Sequence, residues 1–293
     1  MEKKRIGIIG GSGLYQIDGI EILKQLKEIT PFGEPSDEVT IGALNGREVV
    51  FLPRHGRGHR ILPTDVNYRA NIWIMKKLGV EWVISISAVG SFKDEIQPLD
   101  MVLVDQFIDR TNQRKNTFFG DGIAAHIMFA DPVCNELRRI IFEAGQDAGE
   151  GGRIHWGGTY LNIEGPAFST KAESLLYKSW GCDVIGMTNA VEAKLAREAE
   201  ICYATIAMVT DYDCWQENRP EEVVNADMVL QNQKKNIEVV KKIIRNAITK
   251  IPEERSCECA DTLKNTIVTD LNRVPEKILE KLEPILGKYL KNK

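Results

Sequence analysis

The feature that most constrains the fold is a regular alternation. Short apolar runs at 5–9, 48–52, 82–87, 101–104, 159–163, 183–186 and 203–209 are separated by segments of helical periodicity at 65–78, 132–148, 171–180, 190–200 and 228–251. Apolar runs of this length bounded by turn residues read as strands, and apolar residues recurring every three to four positions read as one face of a helix. Strands and helices in alternation predict an α/β protein, a single domain with a mostly parallel, mixed central sheet flanked by helices. Thr170-Lys171-Ala172-Glu173 and Asn189-Ala190-Val191-Glu192 have the spacing of capping boxes at two helix starts. No repeat or low-complexity linker divides the body. The composition shifts only at Ile251-Pro252-Glu253-Glu254-Arg255-Ser256-Cys257-Glu258-Cys259, which predicts a domain over 1–250 and a C-terminal extension over 251–293 with one helix from Pro275 onward.

Composition narrows the partners. Thirty-eight Lys and Arg against 42 Asp and Glu give a net charge of −4, so nothing draws the chain toward nucleic acid or an anionic membrane, and a small molecule is the expected partner. No run approaches the roughly 20 apolar residues of a membrane span, and the apolar segment behind Lys3, Lys4 and Arg5 is too short for a signal peptide. The expected location is the cytoplasm. Six cysteines in a chain of this length read as reduced, mostly buried residues. Cys257 and Cys259 leave structural thiols, disulfide partners and metal ligands open, with metal the least favoured because two thiols alone do not complete a tetrahedral zinc site and no second pair has metal-ligand spacing.

Besides the opening glycine loop, four clusters stand where an open α/β sheet collects its ligands, beyond strand C-termini. In IIGGSGLY, Gly11-x-Gly13 runs on to Gln16 instead of a third glycine, which weakens a dinucleotide fingerprint and leaves a nest for a small anion, with the Ser12 hydroxyl beside it. Pro53-Arg54-His55-Gly56-Arg57-Gly58-His59-Arg60 has the composition of an anion clamp, because guanidinium forks match phosphate oxygens. Ser87-Ala88-Val89-Gly90-Ser91 closes a strongly apolar strand with small residues and reads as a tight turn or a close approach to a ligand. Gly186-Met187-Thr188-Asn189 marks a strand-to-helix junction where Thr188 can cap the helix or donate to an anion, and Glu192 can complete the box or face a sugar hydroxyl. Thr210-Asp211-Tyr212-Asp213 is the sharpest signal. In extended chain its two carboxylates point to one face, and in a dry site one of them tends to keep its proton.

Taken together, IIGGSGLY, PRHGRGHRILPTDVNYRANIW, SISAVGSF, EGPAFSTKAES and IGMTNAVEAKLAREAEICYATIAMVTDYDCW resemble the methylthioadenosine phosphorylases of the trimeric purine nucleoside phosphorylase family. The resemblance implies the nucleoside phosphorylase fold and a phosphate site of Ser12, Arg54, His55, Ser87, Ala88 and Thr188, with inorganic phosphate as co-substrate and no cofactor or metal. It implies Phe168 and Ser169 at the purine, Met187 beneath the ribose, and His126, Val224, Ala226, Val229 and Leu230 around the sugar's 5′-substituent. Asp211 would act as general acid at N7 and Asp213 would accept from the adenine amino group, whereas a 6-oxopurine would want a donor there. The implied reaction is phosphorolysis of methylthioadenosine, with a 6-oxopurine nucleoside phosphorylase as the alternative; a binding protein without turnover and a dinucleotide oxidoreductase are the readings from other classes. It also implies a homotrimer or a homohexamer, with His126 serving a neighbouring subunit. Gly186 departs from the asparagine of animal members, Asn189-Ala190 replaces a small residue followed by proline, and Ala226 is smaller than the expected valine, which would admit adenosine as a second substrate. The Cys-x-Cys tail resembles that of thermophilic archaeal members, where it accompanies disulfides and a hexamer.

Overall fold

The computed structural model describes residues 4–11, 14, 17–149, 154–216 and 226–290, apart from the side chains of 226–228. Ser12 and Val224, and the side chain of Ala226, lie outside the described residues. Eleven strands form one mixed sheet: β1 (Arg5–Gly10), β2 (Glu21–Leu26), β3 (Val39–Leu44), β4 (Arg47–Pro53), β5 (Val80–Ser91), β6 (Met101–Leu103), β7 (Gln106–Asp109), β8 (Ile154–Trp156), β9 (Thr159–Asn162), β10 (Val184–Gly186) and β11 (Cys202–Tyr212). The helices are α1 (Tyr68–Lys77), α2 (Asn135–Asp147), α3 (Lys171–Ser179), α4 (Asn189–Glu198), α5 (Ala226–Lys250), α6 (Glu276–Lys281) and α7 (Glu283–Leu290). Among the described residues no helix is long and apolar enough to cross a membrane.

The central strands are buried on both faces, and their period of two sorts side chains into two cores. Ile6 and Ile8 of β1, Trp82, Ile84 and Ile86 of β5, and Ala204, Ile206 and Met208 of β11 pack with Leu137, Ile141, Ile244 and Ile248 on the α2 and α5 side. Ile9, Val83 and Tyr203 face the opposite way, toward Ile72 and Ile74 of α1, Val191 and Leu195 of α4, and Ile285 and Leu286 of α7. The sheet is therefore a middle layer between two helical layers.

β5 governs the topology. It runs parallel to β1 on one side, with Ile9 paired to Ser85, and parallel to β11 on the other. Near its end β10 joins it antiparallel, pairing Ile185 with Gly90 and Val184 with Ser91. On that edge the β1 ladder ends at Ser85 and the β10 ladder begins at Gly90, so the sheet splits around the residues between. A split of this kind, beyond strand C-termini, is where open α/β sheets bind their ligands.

Every expected strand and helix lies on an observed element, with two corrections. Ser87–Ser91 is not a turn; it is the last part of β5, kept extended by pairing with β11 and β10. The single C-terminal helix is instead α6 and α7, because Pro284 lacks an amide donor and disfavours helical geometry at the residue before it. The strands that sequence patterns missed are β2, β3, β7 and β8; β3 is buried and paired on both sides, its apolar residues broken up by Thr40 and Gly42, while β2, β7 and β8 are edges and β2 is exposed almost throughout. An edge strand is paired on one side and carries no continuous apolar run.

Gly186 ends β10 with its hydrogen pointing at Tyr160. A Cβ there would lie 1.9 Å from the Tyr160 hydroxyl and 2.5 Å from Cζ, so the asparagine of animal members has no room in this chain. Gly186→Ala should destabilise the fold by about 1 to 3 kcal/mol through overpacking, measured by denaturant unfolding, and should cost much less in a Tyr160→Ala background.

Candidate active site

Arg54 follows β4 into the split and is 3% exposed. Its Nε donates to Glu192 Oε1, Nη2 donates to Glu192 Oε2 at 3.0 Å and to Ser85 Oγ at 2.6 Å, and Nη1 donates to the Ile86 carbonyl at 2.8 Å. The Ile86 carbonyl lies just past the last β1 partner, so the guanidinium occupies the place of a missing strand. Of the five N–H groups on an arginine, four are spent inside the protein; one remains at the split among the described residues. Burial by itself would lower the Arg54 pKa, but the Glu192 carboxylate reverses that and raises it further above its ordinary value.

The network behind Arg54 is dry and extensive. Glu192 Oε2 also accepts from Ser85 Oγ at 2.8 Å and from the Tyr203 hydroxyl at 3.0 Å. Asn189 Nδ2 donates to Ser85 Oγ at 2.9 Å, Tyr203 Oη at 2.7 Å and Thr205 Oγ1 at 3.0 Å. These bonds correct the second expected capping box: Asn189 is the first residue of α4, Thr188 precedes it without a side-chain cap bond, and Glu192 turns inward to Arg54. A buried guanidinium attracts a carboxylate far more strongly than an exposed helix start does. The Thr170–Glu173 capping box forms as expected.

Thr188, nine-tenths and more buried, and Tyr160 close the far side of the split. Tyr160 Oη lies 3.2 Å from Ser87 Oγ, and burial holds its phenol above the ordinary pKa as a neutral group. Ala88 is only partly buried while its strand neighbours are closed off. His55 has its pKa pushed down to about 4, first by burial and then by the Arg54 cation. The ring is therefore neutral at pH 7. Its Nδ1 lies 2.8 Å from the Ile61 carbonyl, which assigns the proton to Nδ1 and leaves Nε2 as an acceptor. Arg57 and Arg60 turn away from the split: the Arg57 amide bonds Asp37 at 2.6 Å and Arg60 Nη2 donates to the Ser36 carbonyl at 2.7 Å. Both line a polar cleft with Lys27, Glu34 and Asp37.

Asp211 and Asp213 converge on Gly90 from the end of β11. A Cβ on Gly90 would stand 3.0 Å from Asp211 Oδ1 and 3.5 Å from Asp213 Cβ. Asp211 Oδ2 accepts from the Thr210 hydroxyl at 2.6 Å. Burial, chiefly, and the negative charge of Asp213 push the Asp211 carboxyl up to about 7 against the pull of that hydroxyl. Asp213 is raised as well, by burial, with the Ser174 hydroxyl and the Cys214 amide opposing. Its Oδ2 is buried and makes no hydrogen bond of acceptable geometry. The same is true of Ser169 Oγ, and the loop carrying Phe168 and Ser169 reaches this corner through the Cys214 thiol, which bonds the Ser169 carbonyl at 3.3 Å. Phe168 presents an open ring, 57% exposed. Met187 is fixed by its carbonyl, which accepts from Arg114; Arg114 also pairs with Glu164 at 2.8 Å. Gly165, at φ 67°, gives the Met187 sulfur the space a Cβ would take.

Helix α5 closes the corner from above. Asn232 and Asn236 donate to the carbonyls of Thr210 and Val209 at 2.8 and 2.9 Å, which ties α5 to the end of β11; on its first turn Val229 is partly buried and Leu230 exposed. His126 stands apart: it is exposed, and its amide bonds the Thr266 carbonyl at 2.9 Å. Ser85, Tyr203, Tyr160 and Arg114 were not legible as site residues, since each supports another group; Glu192 was legible, but as a cap or a sugar ligand, not as the counter-ion of Arg54.

A profile of the phosphorylase superfamily matches residues 5–249. The S-methyl-5′-thioadenosine phosphorylase of Geobacter sulfurreducens is 56% identical over 97% of this chain and 99% of its own. The chain belongs to the methylthioadenosine phosphorylase branch of that superfamily. Among solved structures, a methylthioadenosine phosphorylase from an antarctic soil metagenomic library superposes with a TM-score of 0.92 at 46% identity, covering 98% of this chain and 100% of the other. The Schistosoma mansoni methylthioadenosine phosphorylase in complex with adenine gives 0.84 at 37% identity, with 89% and 96% covered. A phosphorylase needs an anion site and a base site, and here β5 carries both groups: Arg54 bonds it at Ile86 and the aspartates meet it at Gly90. Glu192→Gln should lower stability by about 3 to 5 kcal/mol, because it leaves the buried Arg54 cation unpaired. In variants that still fold, such as Glu192→Asp, the KM for phosphate should rise about tenfold or more while the KM for nucleoside changes little, read from initial-rate kinetics.

Proposed function

We propose that this chain cleaves S-methyl-5′-thioadenosine by phosphorolysis, giving adenine and 5-methylthioribose 1-phosphate for purine and methionine salvage. The observation that carries this reading is the pair Asp211 and Asp213, unlike in environment, meeting at Gly90 beside the split that holds Arg54. The C1′–N9 bond breaks, with its electron pair leaving on the purine and an oxocarbenium-like sugar behind. Asp211, protonated below about pH 7, gives its proton to N7, and Asp213 Oδ2 accepts from the amino group at C6. Phosphate then forms the new bond to C1′. Held next to the sugar, it also stabilises the developing cation.

The free N–H of Arg54, the Thr188 hydroxyl, the Ser87–Ala88 edge and Ser12 would hold the phosphate, and His55 Nε2 would accept from a protonated phosphate oxygen. Phe168 and Ser169 would cover the base and Met187 the ribose. Val224, Ala226, Val229 and Leu230 would form the 5′ pocket, with Ala226 small enough to let adenosine serve as a second substrate. Written this way, the chemistry draws on no organic cofactor. A homotrimer, or two trimers in a hexamer, is the assembly we infer. It is supported by exposed His126 and Met128, the latter 76% exposed, on a segment bonded to the C-terminal extension with its exposed Val268; from there His126 would serve a neighbour's 5′ pocket. The cytoplasm is the proposed location.

Base release from methylthioadenosine, adenosine and inosine, with and without phosphate, tests the reading. Adenine should appear only with phosphate and fastest from methylthioadenosine; hypoxanthine as the main product would overturn it in favour of the 6-oxopurine alternative. Asp213→Asn should shift the ratio of rates toward inosine, since an amide can donate to O6, and an unmoved ratio would remove Asp213 from base selection. The pH dependence has a definite sign. Asp211 must carry its proton, so kcat/KM should fall about tenfold per pH unit above roughly pH 7, and Asp211→Asn should both lower the rate and abolish that limb.

A further inference from the structure

At the other end of β11, nine residues and about 30 Å of extended chain from Asp211, four cysteines meet. Cys202 opens β11, Cys134 is the N-cap of α2, and Cys257 and Cys259 come from the segment that follows α5. Cys134, Cys202 and Cys259 are at most 5% exposed and Cys257 is partly buried. The Sγ atoms of Cys202 and Cys257 are 3.2 Å apart, those of Cys134 and Cys257 3.8 Å, and all four lie within 4.8 Å of one another.

These separations are too long for disulfides, whose sulfurs stand about 2.05 Å apart, and all four thiols are free. They are close to the edges of a sulfur tetrahedron around one metal ion, which a metal–sulfur bond of about 2.3 Å puts at about 3.8 Å. Buried cysteines are ordinary as small apolar residues; four from three separate parts of the chain, turned toward one point, are not. The surroundings also suit thiolates. The Leu137 amide, in the first turn of α2, lies 3.5 Å from Cys134 Sγ, and a helix N-terminus favours negative charge. The Glu136 carboxylate accepts from the amide and hydroxyl of Ser256 at 3.3 and 2.9 Å, so the Cys-x-Cys loop is seated on α2 before any ligand arrives. Partly exposed Cys257 supplies a way in.

We propose that Cys134, Cys202, Cys257 and Cys259 form a structural binding site for one zinc ion. An all-thiolate, closed tetrahedron selects a thiophilic metal and leaves no position for substrate. The ion ties the chain beyond α5 to α2 and β11. That chain covers the opposite face of the sheet with Leu263, Val274, Leu282, Ile285 and Leu286, and through Thr266 it holds the segment that carries His126. The proposal departs from the expectation of no metal: two further thiols stand beside Cys257 and Cys259, each distant in sequence.

The test is metal analysis of the full-length protein purified under reducing conditions. One zinc per chain is expected, falling to background in Cys257→Ser/Cys259→Ser. Because that variant can fail to fold, metal-free wild type is also titrated with Co2+. One equivalent should produce the sulfur-to-cobalt charge-transfer band and the strong visible absorption of tetrahedral cobalt, both lost on adding zinc. A strong chelator should lower the melting midpoint, and zinc should restore it. A metal-free protein whose intact mass is lower by four hydrogens would show two disulfides and overturn the site, and so would four reactive thiols that take up neither ion. None of these readouts uses catalytic turnover, so failure here leaves the phosphorolysis reading untouched, and the reverse.

Discussion

The buried ion pair between Arg54 and Glu192 is the interaction on which the rest of the site depends. Taking two charges out of water is expensive, and the cost is offset only when geometry and further hydrogen bonds satisfy both partners. Here the carboxylate receives the guanidinium on both oxygens and two hydroxyls besides. The pair therefore locks β4, β5, α4 and β11 into one register. It also leaves a fixed cation with one N–H unspent among the described residues, at the place where a strand is missing.

The split in the sheet and the perturbed aspartates have a common origin. β5 is long enough to serve β1 with its first half and β10 with its end, and the gap between them can only be filled by side chains or ligand. Because the strands around it are apolar on both faces, any carboxylate at their ends is poorly hydrated. Burial then does to Asp211 what its neighbours do not undo, and holds it near neutrality. A group kept in this state weakens the fold at high pH, because in the unfolded chain it would ionise freely. The same protonated carboxyl is what a departing purine needs.

Much of this was legible in one dimension. The apolar runs located the inner strands, since burial on both faces leaves a continuous signature. Arg54, Thr188 and the two aspartates stood out because each ends a strand. What stayed hidden were residues whose role is defined by a partner distant in sequence. Glu192 has the spacing of a helix cap and becomes the counter-ion of Arg54, 138 positions away. Gly186 is conspicuous only once Tyr160 is seen to fill the space beside it. His126 is exposed and joined by backbone to Thr266, 140 positions away.

The chain by itself determined the layered α/β architecture and the chemical kinds of group at the strand ends, because periodicity and residue type are local properties. Only the tertiary structure decided which charge faces which. It turned Arg57 and Arg60 outward and Arg54 inward, and it parted the sheet at Ile86. It also gathered Cys134, Cys202, Cys257 and Cys259 to within 4.8 Å. Such pairings are set by the energy of burying polar and sulfur atoms together, which depends on distances between elements that sequence order does not encode.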